Sequence, residues 1–294
     1  MFKQALQKTV QESGARLLLS SREKADEAEE LIGISYGGVT GHLLRIRILP
    51  VPPPPVEPSA VEKASQPDSL KVALVIDDIG YQEGMAAQLR NLGIPLTAAV
   101  IPESPFAETE ARLLRRYGLE IIIHLPMAAR NNQNNYRRDQ MVFADSSSTE
   151  ISEILGRARR RLPHAVGLNN HMGSLITARP ELMERFFEVF RREPLFFVDS
   201  RTTAESVAYD LARSKGIPSL YRDVFLDDQV SWENSRRQLR RLIQVARLNG
   251  RALAIGHPHP STLKAIRDTL PEFKAAGIEP VFASALLDAG KQVP

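Results

Sequence analysis

The 294-residue sequence contains no cysteine, which removes disulfides, thiolate zinc sites and cysteine nucleophiles together. It also lacks a long apolar run. Met1-Phe2-Lys3-Gln4-Ala5-Leu6-Gln7 leads into no hydrophobic stretch of signal-peptide length, and Leu17-Leu18-Leu19 is far too short to cross a bilayer, so neither an export signal nor a membrane span is visible. Charge of one sign is missing as well. With 38 Lys+Arg against 35 Asp+Glu the net charge is +3, too balanced to argue for nucleic acid as a partner. The arginine runs at 157–161 and 236–241 fall on helical periodicity and read as solvated outer faces. What is present, 43% hydrophobic and 25% charged residues, suffices for one large core plus something smaller and excludes a wholly disordered chain.

Composition divides the chain. Over residues 1–50, Phe2, Ala5, Leu6, Val10, Ala15 and Leu18 recur near helical spacing, and the acidic stretch Glu23–Glu30 extends the expected helix. Leu31–Tyr36, Gly37-Gly38 and His42–Leu49 then predict a hairpin with one wet face. This is a small α+β module, helix plus hairpin, suited to an accessory or docking role. Residues 51–70, beginning Val51-Pro52-Pro53-Pro54-Pro55, form a proline-rich spacer of polyproline II character. From residue 71 to about 290, apolar strand candidates alternate with helical segments seven or eight times. That order predicts a parallel sheet, and its length favours a closed or nearly closed (β/α) barrel over an open doubly wound sheet. No phosphate-cradling glycine fingerprint follows the first strand, which counts against a dinucleotide site.

The polar residues gather where strands end. Val72–Ile76 runs into Asp77-Asp78; His124 ends the third strand, Asn169-Asn170-His171 the fourth and Asp199-Ser200 the fifth, while His257 and His259 follow the seventh. In a (β/α) barrel these ends converge on one face, so residues far apart in sequence become neighbours there. Oxygen and nitrogen donors without a thiolate are the ligand set of a catalytic divalent metal, most often zinc. Side chains alternate along a strand, so Asp77 and Asp78 can both face inward only if the chain bends, and Ile79-Gly80 is the expected bend. One carboxylate then binds metal while the other takes a proton. In Gly256-His257-Pro258-His259-Pro260 each histidine precedes a proline, which favours extended backbone and presents both imidazoles for acid catalysis or substrate binding. A glycosidase using Asp77 and Asp199 is the rival enzyme reading.

Ile76-Asp77-Asp78-Ile79-Gly80, Ile123-His124-Leu125-Pro126-Met127, Gly167-Leu168-Asn169-Asn170-His171-Met172-Gly173-Ser174, Phe197-Val198-Asp199-Ser200 and Ile255-Gly256-His257-Pro258-His259 occur in that order. Together they resemble the divergent polysaccharide deacetylase family, similar to the larger group of NodB-type carbohydrate esterases. The resemblance implies a distorted (β/α) barrel, a divalent metal and removal of acetyl groups from amino sugars or polysaccharides of the cell envelope, in an extracytoplasmic setting. Carried over, Asp77 is the general base, Asp78 and His124 are metal ligands and His257 is the general acid. The mainstream esterases place a further histidine a turn after His124, where this chain has Ala128 and Ala129, and His171 is the expected replacement. Arg201 stands in for an arginine-proline motif that is not evident. Asn170, Asp199, Arg201 and His259 complete the expected substrate-binding set, with Asn170 facing the oxyanion. The alternative is a catalytically inactive glycan- or protein-binding envelope protein, the first module serving assembly with an envelope partner.

Overall fold

The computed structural model describes residues 16–24, 27–36, 39–48, 70–131 and 136–287, and the chain divides into two compact units, Met1–Ala64 and Ser65–Pro294. In the first, β1 (Arg16–Lys24), β2 (Glu27–Tyr36) and β3 (Val39–Ile48) form an antiparallel sheet in sequence order. The pair β2–β3 stands where the hairpin is expected. The helix expected through Glu23–Glu30 is not there: β1 pairs with β2 along its whole length, setting Arg22 opposite Glu29 and Lys24 opposite Glu27. A weak helical period is overridden when a neighbouring strand offers a continuous antiparallel ladder. The helical start expected from Phe2 and the proline-rich spacer lie outside the described residues.

The second unit is built on β4 (Leu70–Ile79), β5 (Thr97–Val100), β6 (Glu120–Met127), β7 (Gly167–Met172), β8 (Phe196–Asp199), β9 (Ser219–Tyr221), β10 (Val224–Phe225) and β11 (Arg251–Gly256). All pair in parallel, in the order β10-β11-β4-β5-β6-β7-β8-β9. The two ends of this order are consecutive in sequence. Arg222 N still donates to Asp199 O on β8 at 3.0 Å, whereas Asp223 N already donates to Leu253 O on β11 at 2.9 Å. One kinked segment, Ser219–Phe225, thus serves both edges and closes a distorted (β/α) barrel. A further strand, β12 (Ile278–Val281), runs beside the start of β4. Outside lie α1 (Met85–Arg90), α2 (Ala107–Arg116), α3 (Ser148–Arg161), α4 (Pro180–Phe190), α5 (Ala208–Ser214), α6 (Trp232–Asn249) and α7 (Pro260–Ala275). No helix among the described residues is long and apolar enough to cross a membrane.

Strand alternation divides the core in two. Val72, Leu74 and Ile76 of β4 face the helices, where Phe186, Phe187 and Phe190 of α4 pack their rings 5.1–6.5 Å from Phe197 of β8. Each such ring contributes about 1.5–3 kcal/mol through burial. Ala73 and Val75 point the other way and fill the barrel with Ile122, Val198, Leu253 and Ile255. Continuing that inward parity upward gives Asp77 on β4, His124 on β6, Ser200 after β8 and His257 after β11. The apolar interior therefore ends in a polar layer at the carboxyl ends of the strands.

Candidate functional site

The Asp-Asp pair faces the barrel because the strand gains a residue. Ile76 pairs with Ala98 and Ile79 with Val100, so three steps on β4 match two on β5, and Asp78 takes up the excess in the left-handed region at φ 59°. The bend thus falls on Asp78 itself, one residue before the expected Ile79-Gly80. Gly80, at φ 113°, is needed for close approach: a Cβ there would stand 2.0 Å from Ser104 Oγ. Glu110 of α2 fixes the next turn by accepting from Gly84 N at 2.7 Å and Ala86 N at 2.6 Å, the first amides of α1.

Three atoms then converge. His124 Nε2 lies 3.3 Å and His171 Nδ1 3.0 Å from Asp78 Oδ1, and the two nitrogens are 3.1 Å apart. Asp78 Oδ1 is buried yet has no hydrogen bond of adequate geometry, short as these contacts are. The proton on His124 is placed by Asn169. That amide's Nδ2 donates to Asp77 Oδ1 at 2.8 Å and to Ser200 Oγ at 3.2 Å, so its Oδ1, 2.7 Å from His124 Nδ1, accepts the Nδ1 proton. Neutral His124 consequently turns its Nε2 lone pair toward a carboxylate oxygen and a second imidazole nitrogen. Electron pairs meet there unless a cation lies between them. A tetrahedral metal with bonds of ~2.0–2.1 Å separates its ligand atoms by roughly 3.3 Å, so the donor set and spacing fit a divalent metal. Ala129 and His171 both line the cavity, His171 reaching the cluster from β7. Without a metal, burial opposes charge on His124, but Asp77 and Asp78 outweigh it and raise its pKa; burial likewise works against ionised Asp78, yet His124 and His171 hold its carboxyl far below the usual range.

Asp77 is buried beside this cluster, with Oδ2 3.5 Å from His124 Nε2. Burial raises its carboxyl pKa, partly countered by His124 and His257. A second grouping supports His257. Its Nδ1 donates to Asp227 Oδ1 at 2.9 Å, and Asp227 Oδ2 accepts from His257 N at 2.7 Å and Thr262 Oγ1 at 2.9 Å. Nε2 is left facing the Asp pair, 3.8 Å from Asp78 Oδ2. Burial disfavours the imidazolium, but Asp227, Asp77 and Asp78 push its pKa up to about 9. The site accordingly holds a buried carboxylate to take a proton and an imidazolium to give one, both lining a cavity of 350 Å³. On the far side of His257, a 360 Å³ cleft is lined by Asp78, Tyr81, Gln82 and His259.

Of the expected substrate-binding residues, Asn170 lines the 350 Å³ cavity, whereas Asp199 and Arg201 do not. Asn170 has outward parity on β7, and its amide braces the cavity rim through Met172 O at 2.7 Å and Ser200 N at 3.0 Å. Asp199 also points outward and accepts from Arg201 N, Ser206 Oγ and Tyr209 N, so it pins the loop after β8 and cannot pair with Asp77 as a glycosidase would require. Arg201 is exposed and stacks on Tyr221 at 3.8 Å. The arginine at the cavity is Arg222, on the closing segment. Asn169, Asp227 and Arg222 were not assigned roles from the sequence; inward parity marks the first, and the second is a carboxylate ending a strand candidate, as Asp77 is. Asn131–Arg138 is a polar insertion after β6; within it residues 132–135 lie outside the described residues, and the Tyr136 hydroxyl meets Tyr81 Oη at 2.7 Å.

The second unit is thus a distorted (β/α) barrel with a carboxylate-imidazole cluster at the carboxyl ends of its strands. The chain belongs to the divergent polysaccharide deacetylase family, whose model matches residues 74–287. It is 38% identical over 200 residues to the uncharacterized protein YibQ of Escherichia coli K12, covering 67% of this chain and 61% of that protein. An uncharacterized protein of Haemophilus influenzae is 35% identical over 197 residues, 67% of this chain and 70% of its own length. Among solved structures, an uncharacterized protein of Agrobacterium tumefaciens C58 shares the fold with a TM-score of 0.68 and 24% identity, over 74% of this chain and 89% of that one.

Proposed function

We propose that this chain is a metal-dependent hydrolase that removes acetyl groups from a carbohydrate of the cell envelope. The convergence of Asp78 Oδ1, His124 Nε2 and His171 Nδ1, with a buried carboxylate oxygen lacking any hydrogen bond, carries the reading. These three residues would hold a divalent cation, zinc by donor type. Bound there, such a cation lowers the pKa of water toward ~7 and stabilises negative charge developing on an acetyl oxygen. Asp77 accepts a proton from the attacking water as the water oxygen bonds to the acetyl carbon. His257 Nε2 gives its proton to the departing amine or alcohol as the bond to the acetyl carbon breaks, releasing acetate. Asp227 keeps the other proton of His257 on Nδ1 and so aims Nε2 inward. Family membership supports an extracytoplasmic setting, and the N-terminal sheet is our candidate docking module for an envelope protein.

The test is elemental analysis of protein purified without added metal or chelator, alongside the His124→Ala variant, followed by assay of acetate released from acetylated glycans. About one zinc per chain, absent from the variant, and acetate release dependent on it are expected. A wild-type chain that refuses added metal would move the reading to a non-catalytic carbohydrate-binding protein.

A further inference from the structure

Arg222 occupies a position that the acetyl-removing chemistry does not require. It sits at the kink of the closing segment, where the chain leaves β8 for β11, and lines the same cavity as Asp77 and His257. Its guanidinium is half-buried and held on three sides: Nε donates to Ser200 O at 2.7 Å, Nη2 to Arg201 O at 2.7 Å, and the plane stacks on Phe225 at 4.8 Å. All these partners are neutral. No carboxylate among the described residues lies within ion-pair distance of it. The acids nearest by field are committed elsewhere, Asp199 to Arg201 N, Ser206 and Tyr209, and Asp77 to Asn169. A half-buried cation with no directly paired carboxylate is costly, and proteins keep one where a ligand supplies the contacting anion. Two carbonyls fix the fork's orientation beforehand, so a carboxylate or phosphate meets donors already aimed. Around it the cavity adds the hydroxyl-bearing Ser174, Ser200 and Thr202.

We propose that Arg222 forms an anion subsite, so that this cavity takes an acylated sugar carrying a carboxylate or phosphate close to the acyl group, in preference to a neutral one. This rests on the carbohydrate reading above and names the class of sugar. The cavity, 350 Å³, is at the small end for ligand sites, which keeps the acidic group within a sugar residue of Asp77 and His257.

The test is calorimetric binding of three probes to the full chain: neutral N-acetylglucosamine, N-acetylmuramate for the carboxylate, and N-acetylglucosamine 6-phosphate for the phosphate. At least one charged probe is expected to bind about tenfold or more tightly than the neutral one, as a charge-assisted contact provides. The preference should shrink as salt is raised and vanish in Arg222→Gln; whichever charged probe wins identifies the anion. Arg222→Lys, which keeps the charge but not the fork, should retain part of the preference. Equal binding of all three probes by the wild-type chain, or a preference unchanged in Arg222→Gln, overturns the proposal. Because binding is read without turnover, a charge preference in a chain that holds no metal would sink the hydrolase reading and leave the subsite standing. Metal-dependent acetate release that ignores the sugar's charge would do the reverse.

Discussion

Asp78 with His124 and His171, and Asp227 with His257 and His259, are two groupings of the same composition on the same rim of the barrel, each able to bring its ligand atoms together. Their hydrogen bonds separate them. Asp227 has both oxygens occupied, by His257 Nδ1, His257 N and Thr262 Oγ1, so neither oxygen lacks a partner. Asp78 Oδ1 is buried with no hydrogen bond, and the nitrogen facing it on His124 carries no proton when the ring is neutral. One grouping is satisfied as it stands and holds a proton; the other sets a buried carboxylate oxygen against two imidazole nitrogens, an arrangement that a cation would complete. Identity of residue types thus decides little, and satisfaction of each donor and acceptor decides much.

The largest effect that could break this contrast is on metal affinity. Replacing Asp78 by Ala should weaken zinc binding on the order of a hundredfold or more, since a direct ligand is lost where even an outer partner commands about 10–100-fold. Asp227→Asn should leave the affinity nearly unchanged. Calorimetric zinc titration of both variants checks this, and the opposite ranking would exchange the two assignments.

Next in size is proton delivery. If Asp227 holds His257 as an acid, His257→Ala should lower acetate release by about 10²–10⁴-fold with metal content intact. The pH dependence follows from the sign of the shift. His257 is raised to about 9, so the imidazolium is present below that pH and its share falls above it, taking the rate down on the alkaline side. Asp227→Asn removes a principal raising influence and should move that alkaline limb toward lower pH. A folded-state pKa above the unfolded value of ~6.5 stabilises the fold fully below ~6.5, and the contribution is lost as pH rises through about 9. The melting temperature of Asp227→Asn should therefore trail the wild type most at pH 6 and least at pH 10. A constant gap would show that Asp227 acts only by packing.

The barrel was legible because it is written in periods and punctuation: apolar strand candidates alternating with helices, and polar residues at the strand ends. The gathering of Asp78, His124 and His171 was legible from residue type at those ends. What misled was which neighbour faces inward. In Asn169-Asn170 and Asp199-Ser200 the motif offers two polar residues side by side, and parity counted from the apolar stretch of each strand selects Asn169 and Ser200, sending Asn170 and Asp199 outward. At Asp77-Asp78 parity fails instead, because a bulge with Asp78 at positive φ lets both face the site. Arg222 was hidden for a third reason: it stands where one strand changes partners, a feature that belongs to closure of the whole barrel. At the N-terminus a few apolar residues at helical spacing gave a helix over Glu23–Glu30 where pairing with β2 prevailed. The parity argument carries its own test. Asn169→Leu should cut acetate release about tenfold by freeing His124 and Asp77, whereas Asn170→Leu should chiefly lower the melting temperature.

The smallest expected effect is the sharpest check on the opening contrast. His259 belongs to the Asp227 grouping by distance alone: its ring centroid is 5.8 Å from that of His257, it begins α7 without a side-chain cap bond, and it lines the neighbouring cleft rather than the cavity of Asp77. If Asp227 is saturated, His259 has no carboxylate to share a cation with. His259→Ala should then change neither the affinity nor the number of zinc ions taken up, even in excess zinc. The titration should close at one ion in both proteins. A second uptake in the wild type that disappears in His259→Ala would mean that zinc can displace the protons on Asp227's partners, and hydrogen-bond satisfaction would no longer tell a proton site from a metal site on this rim.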